Sequence, residues 1–283
     1  MDVVINSCLE QIPDGGVPIV NHGHYYHNLL LCLGYPISSP PVADLLRQLH
    51  GLEGEWLVVS PLHWQATHND AMIIAVGNDL RLTEEEGHAW FDAFAAFVAA
   101  DGVNAYYHDA YTWLIQSDTF PKIQAKPVGL LLHKSMMPQL DTLDNTFFWQ
   151  RFLTEIQMFL SGHGLNKQRK GRYSVNGVWI WGAGVLQRSK QCIVPHDPET
   201  ESLARLVSSN IKHVSNMSIS EISQYDTKLK RLPDNTIFLY SELSSLSELQ
   251  CVLRKKLVSW YWNNHAYQVK PKHWIKSLWR KLC

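Results

Sequence analysis

CIVPHDPETESLARLVSSNIKHV, residues 192–214, is the stretch that sets the fold class. CIVP is a short β-branched apolar run, ETESLARLVSS carries helical spacing, and IKHV reads as a possible further strand. The alternation continues downstream. SISEISQYDTKLKRL reads as a helix, TIFLY as a strand, and LSSLSELQCVLRKKLVSWYW as a helix. Strands that alternate with helices at this spacing predict βαβ units. The expected fold is therefore α/β, a mainly parallel sheet with helices on both faces.

Working outward, residues 1–54 read as an irregular, mostly helical part. HNLLLCLGYP is stopped by Gly34 and Pro36, and PPVADLLRQLHG runs from a proline pair to Gly51. EWLVVSP and AMIIAV predict two strands, with LHWQATHND as a polar loop between them. Residues 83–100 predict a helix: Thr83 and Glu86 have capping-box spacing, and Trp90, Phe94, Phe97 and Val98 line one face. NAYYH and YTWLIQS read as strands, PVGLLLHKSMMPQLD as a short helix or turn, and 146–162 as a second clear helix. VWIW is a strand closed by Gly182-Ala183-Gly184. With neither an internal repeat nor a low-complexity linker, the expectation is a single domain over 1–283, with 251–283 as a basic, Trp-rich helical end.

Composition bounds the class. The 283 residues are 46% hydrophobic and 18% charged, with 25 basic against 26 acidic side chains. That excludes a largely disordered chain, and the balanced charge gives no reason to expect nucleic acid. No run approaches the 18 apolar residues of a membrane span, and the start lacks the basic and apolar regions of a secretory signal. Five widely spaced cysteines (Cys8, Cys32, Cys192, Cys251 and Cys283) form no C-x-x-C pair, which points to reduced thiols and a cytoplasmic location.

The densest cluster of unusual residues is FLTEIQMFLSGHGLNKQRKGRYSVNGVWIWGAG, residues 152–184. A helix leads into a basic loop with Asn166, Lys167, Arg169, Lys170 and Arg172, then Asn176, then a strand ending at Gly182 and Gly184. Guanidinium, ammonium and amide groups beside a glycine turn could hold a phosphate or carboxylate. The plainer alternative is a solvated basic connection. On this basis the candidate ligand-binding residues are Asn166, Arg169, Lys170, Asn176, Gly182 and Gly184.

The same segment resembles a proteobacterial family of cofactor-independent phosphoglycerate mutase-like proteins. In that family a helix with E-x-Q-M precedes H-x-x-N-x-x-R, a glycine, and N-x-x-W-x-W-G-x-G. The matching residues are Glu155, Gln157, Met158, His163, Asn166, Arg169, Gly171, Asn176, Trp179, Trp181, Gly182 and Gly184; Pro61, His63 and Trp64, then Leu82 and Glu86, match two earlier elements. The likeness spans roughly residues 55–184. It is similar, more distantly, to archaeal-type phosphoglycerate mutases of the alkaline-phosphatase superfamily. That resemblance implies part of an alkaline-phosphatase-like fold, two divalent metals held by Asp and His, and a Ser or Thr nucleophile. The chain departs from it at both ends. No Asp-Gly strand end occurs near the N-terminus, and no acidic residue follows Glu248. The expectation is therefore a mutase-like protein that lacks the two-metal centre and binds a phosphorylated or anionic small ligand without a required cofactor. Two alternatives stay open: a phosphotransferase or phosphatase with relocated ligands for Mn or Zn, and a non-catalytic regulatory or interaction protein.

Three further constellations carry chemistry. His22, His24 and His27 have the density of a metal site or of aromatic-packed histidines. His63, His68 and Asp70 could serve acid–base work or merely decorate a loop. His196 and Asp197 follow a strand whose carboxyl end is where α/β proteins place ligands, although Asp197-Pro198 is also ordinary turn chemistry. From Cys251 onward, eight cations and no acid are interleaved with Trp260, Trp262, Trp274 and Trp279. This is a docked terminal helix or a contact for an oligomer or protein partner.

Overall fold

The computed structural model describes residues 1–21, 23–66, 70–213, 232–242, 249–250, 253 and 256–271. In chain order the elements begin with β1 (Asp2–Ile5), β2 (Val17–Pro18) and α1 (Tyr25–Cys32). There follow α2 (Val42–Leu49), β3 (Leu57–Ala66), β4 (Ala71–Val76), α3 (Glu84–Ala99), β5 (Asn104–Asp109), β6 (Thr112–Gln116), α4 (Met137–Leu140), α5 (Phe148–Ser161) and β7 (Gly177–Trp181). The chain ends with β8 (Ser189–Pro195), α6 (Pro198–Val207), β9 (Ser208–Ile211), β10 (Ile237–Tyr240), β11 (Val258–Tyr261) and β12 (Ala266–Val269). Two compact units result: Met1–Gly34 with Gln187–Cys283, and Tyr35–Leu186. Neither border falls at 54 or 251, where the sequence suggested divisions within one domain.

The first unit holds a seven-stranded sheet in the order β2-β12-β11-β1-β10-β8-β9. Strands β11, β1, β10, β8 and β9 run parallel, while β12 and β2 are antiparallel. DVVI is thus the middle strand of the sheet rather than part of a helical N-terminal region. The C-terminal part differs from expectation too. SWY belongs to β11, not to a helix, because Val258 and Trp260 alternate with half-exposed Ser259 and Tyr261 at the two-residue period of a strand. Trp260, Trp262 and Tyr267 join Val3, Ile5, Val194 and Phe238 in the core. The expected helix at 218–232 lies almost wholly outside the described residues, and so do residues 272–283.

The second unit carries the opposite sheet chemistry. β3 pairs antiparallel with β4, β6 and β7, and β5 with β6. Only Ala110 and Tyr111 separate β5 from β6, a connection short enough to force a hairpin. The fold is therefore mixed α/β and not mainly parallel. β3 also runs on through Leu62, His63, Trp64, Gln65 and Ala66, which were expected to be loop. α3 starts as predicted, with Thr83 Oγ1 accepting from the Glu86 amide while the Glu86 carboxylate accepts from the Thr83 amide. Among the described residues, no helix is long and apolar enough to cross a membrane.

Candidate functional site

In the second unit, α5 ends at Gly162 and the chain makes a 3-10 turn over Gly164–Gln168 before β7. Asn166 sits in that turn. Its amide donates to the carbonyls of Leu160 and Val175, both at 3.0 Å, and its Oδ1 accepts from the Val175 amide at 2.9 Å. Arg169 is 3% exposed. Its Nε donates to the Tyr173 carbonyl at 2.8 Å, its Nη2 donates to the Leu80 carbonyl, and its Nη1 lies 3.3 Å from Glu86 Oε1. Arg172 adds two 2.8 Å bonds to the two oxygens of the same carboxylate. Burial acts to raise the Glu86 carboxyl, but the Arg172 bonds, the Thr83 amide and the Arg169 charge outweigh it and hold the group below the usual range.

Asn176 has a comparable task. β3 carries a bulge between His63 and Trp64, where the ladder with β4 slips. The Asn176 side chain spans it, with Oδ1 accepting from the Trp64 amide at 2.7 Å and Nδ2 donating to the Trp64 carbonyl at 2.9 Å. Asn176→Ala should cost about 1–3 kcal/mol, since both backbone groups of Trp64 lose their partner. A urea titration with less than half a kcal/mol of change would exclude that role. Gly182 (φ +84°) leaves no room for a Cβ against Val58 Cγ2 at 3.0 Å, and its carbonyl accepts from the Ala43 amide at the start of α2. Gly184 (φ +143°) lies against Pro41. Lys170 and Gly184 are the exposed members of the set. The predicted residues do not form one cluster: Asn166, Arg169 and Asn176 hold the turn and bulge before β7, while Gly182 and Gly184 follow its far end, about 20 Å along the strand.

The sequence-derived acid–base candidates separate. His63 is half-buried, with Nδ1 3.0 Å from both the carbonyl and the hydroxyl oxygen of Ser174. Asp70 Oδ1 accepts from the Ala71 amide and the Ser135 hydroxyl, each at 2.7 Å. His68 lies outside the described residues.

In the first unit the parallel strands finish together: Ile5 pairs with Tyr240, Leu239 with Pro195, and Val4 with Tyr261. The residues just beyond them therefore share one edge of the sheet, and they include the amides and hydroxyls of Asn6, Ser7, Ser241 and Asn263 together with His196 and Asp197. Asn263 Nδ2 donates to Asn6 Oδ1 at 3.2 Å. Asp197 caps α6 by accepting from the Thr200 amide at 2.9 Å, and it takes both the amide (3.1 Å) and the hydroxyl (2.8 Å) of Ser241 across to β10. Burial pushes its carboxyl up, yet these bonds hold it below the ordinary value. His196 is exposed beside Tyr240.

Tyr25, in the first turn of α1, is 5% exposed, and its hydroxyl is buried with no hydrogen-bond partner among the described residues. Burial, followed by the neighbouring Tyr26, Asp197 and Glu199, raises this phenol well above its ordinary pKa, so it stays a donor. Asn263 Oδ1 is likewise buried and unpartnered. No sequence signal singled out Tyr25 or Asn263. Asn263 comes two residues after β11, whereas Tyr25 opens α1 and is tied to this edge only by the charge of Asp197.

Among the described residues, no three His, Cys, Asp or Glu side chains are gathered so that they could hold a metal ion. The described side chains at the strand ends do not fit the metal pair implied by the resemblance. His22 is outside the described residues and His27 is fully buried in α1. Among the described residues, Cys8, Cys32 and Cys192 form no disulfide.

The class this defines is a two-unit mixed α/β protein whose parallel strands end at a polar edge of amides, hydroxyls and the Asp197 carboxylate. No family model and no curated protein matches the sequence. Solved structures offer distant neighbours. The PH0037 protein from Pyrococcus horikoshii is 13% identical over 89% of this chain and 72% of that one, with a TM-score of 0.38. The cofactor-independent phosphoglycerate mutase from Thermoplasma acidophilum DSM 1728 is 14% identical over 90% and 78%, with a TM-score of 0.34.

Proposed function

We propose that this chain is a phosphoglycerate mutase-like protein that binds a small phosphorylated ligand at the carboxyl edge of the first unit's sheet. The observation that carries the placement is the Tyr25 hydroxyl, a buried obligate donor without a partner among the described residues, close enough to feel the charge of Asp197, which follows β8 and tethers Ser241. A buried donor left unsatisfied costs about 1–3 kcal/mol, and a ligand oxygen would remove that cost. The motif series from Pro61 to Gly184 supports the choice of a phosphorylated ligand. The edge favours binding over phosphoryl transfer, because Asp197 is committed to capping α6 and tethering Ser241. Asn6 offers an amide where metal-assisted chemistry would call for a carboxylate.

Calorimetric titration with 2- and 3-phosphoglycerate, and with inorganic phosphate, tests the proposal. Wild type is expected to bind at least one of them, and Tyr25→Phe to bind about tenfold or more weakly, the effect of one hydrogen bond to a charged acceptor. Lys170→Ala should bind as wild type does. Failure of wild type to bind any of the three would overturn the ligand class; equal binding by Tyr25→Phe would overturn the placement.

A further inference from the structure

We propose that His50, at the end of α2, and His108, in β5, form a proton-operated clasp that holds the end of α2 to the β5–β6 hairpin and opens on acidification. His50 Nε2 lies 2.8 Å from His108 Nδ1, and the Tyr106 hydroxyl lies 3.2 Å from His50 Nδ1. His108 Nε2 lies 3.7 Å from Asp109 Oδ2. Two titratable residues of β5, Tyr106 and His108, thus meet His50, 56 and 58 residues away in sequence, and Asp109 backs His108. A bulge enables this: the β5–β6 register slips between Tyr107 and Asp109, which re-aims the His108 side chain.

One assignment of protons suits every contact. Tyr106 O–H donates to His50 Nδ1, His50 Nε2–H donates to His108 Nδ1, and His108 Nε2–H points toward the Asp109 carboxylate. The reverse assignment would set a bare imidazole lone pair against that carboxylate. A first added proton can sit on His50 Nδ1, with the Tyr106 hydroxyl turning to accept it. A second must go to His108 Nδ1, which sets two N–H groups and two positive charges face to face at hydrogen-bond distance.

The surrounding charges do not relieve this. Asp109 is the nearest carboxylate, but burial pushes it up to about 6, so it loses its charge during the same acidification, and its Oδ1 is already engaged by the Tyr111 amide at 2.8 Å. Glu84 of α3 acts on Asp109 electrostatically, but its Oε1 accepts from the Tyr107 hydroxyl. Arg47, one turn back on α2, is held by Asp44 and the Leu52 carbonyl. His88 of α3 stacks on Tyr107 and pairs with Glu84.

Burial pushes His108 down to about 4, and burial together with His108 lowers His50. A depressed histidine stabilises the closed state fully above its ordinary value near 6.5, and that stability is lost as pH falls toward 4. For His108 alone, a gap of that size raises the opening constant about 30-fold between pH 7.5 and pH 5.

Histidine-selective NMR and amide exchange on the full chain between pH 8 and 4 test the clasp. The two rings should titrate as a coupled pair below ordinary histidine, and amides 46–52 should lose about 30-fold in protection by pH 5 while 90–98 stay protected. His108→Gln keeps a hydrogen-bonding group beside His50 without titrating, and should shrink the pH response of 46–52 to the smaller part that burial of His50 leaves. Ordinary, independent titration of both rings in wild type would overturn the proposal, as would an unchanged pH response in His108→Gln. The wild-type titration decides even if the variant does not fold.

Discussion

Arg169→Ala should lower unfolding stability by about 3–5 kcal/mol, the range for removing one partner of a buried charged network. The guanidinium, whose side chain is 1% exposed, reaches three separate acceptors: the Tyr173 carbonyl, the Leu80 carbonyl and the Glu86 carboxylate. Two of these are backbone oxygens that alanine would leave without this donor. Arg172, at 31% side-chain exposure, bonds the same carboxylate, so Arg172→Ala should cost only about 1 kcal/mol. Arg169→Lys should not rescue, because a single ammonium cannot span three acceptors set around a planar fork. Urea titration followed by tryptophan fluorescence ranks the three variants. A cost for Arg169→Ala no larger than that for Arg172→Ala would refute the structural role. The same network sets a pH response. Glu86 is held below its ordinary value, so its contribution is present above that value and lost as pH falls through the folded one.

Arg169 also shows why the sequence could expose a motif without exposing its purpose. Several cations near amides and glycines describe an anion site and a buried backbone clamp equally well. What separates them is whether the guanidinium meets solvent or carbonyl oxygens, and Leu80 lies 89 residues away. The local elements were more legible. The Thr83–Glu86 capping box, the α5 stripe and α6 behind Asp197-Pro198 follow from short-range chemistry, and the structure contains them. DVVI failed as a strand assignment because four apolar-rich residues carry no period, and both of its partners lie more than 230 residues away. Two errors were avoidable. Leu62, Trp64 and Ala66 alternate with His63 and Gln65, and Val258 and Trp260 alternate with Ser259 and Tyr261. Both are two-residue periods hidden by polar or aromatic neighbours. The carboxyl-edge residues were illegible for a third reason: Asn6, Ser241 and Asn263 share one edge only once the strand order is known.

Gly177→Ala is the sharpest packing test, since one added methyl should cost about 3 kcal/mol, the upper end of ordinary overpacking. Gly177 opens β7 opposite Leu62, and a Cβ built there would fall 1.7 Å from Trp64 Nε1 and 2.4 Å from Trp64 Cδ1. The indole cannot simply swing away. It is 6% exposed, and the bulge that aims it over the glycine is fastened by both Asn176 bonds. An alanine must therefore either drive Trp64 off its rotamer or pull β7 from β3. Gly164→Ala is the matched control, for its Cβ would meet nothing within 4 Å, and it should stay within about 0.5 kcal/mol of wild type. The coupling is decided by a second substitution. If the cost comes from the indole, Trp64→Ala with Gly177→Ala should be at least 1 kcal/mol less destabilised than the sum of the single variants, since the methyl then enters space the ring has left. Strict additivity would assign the glycine to backbone freedom instead, and the Asn176-fastened bulge would lose its explanation as the device that seats Trp64 on β7.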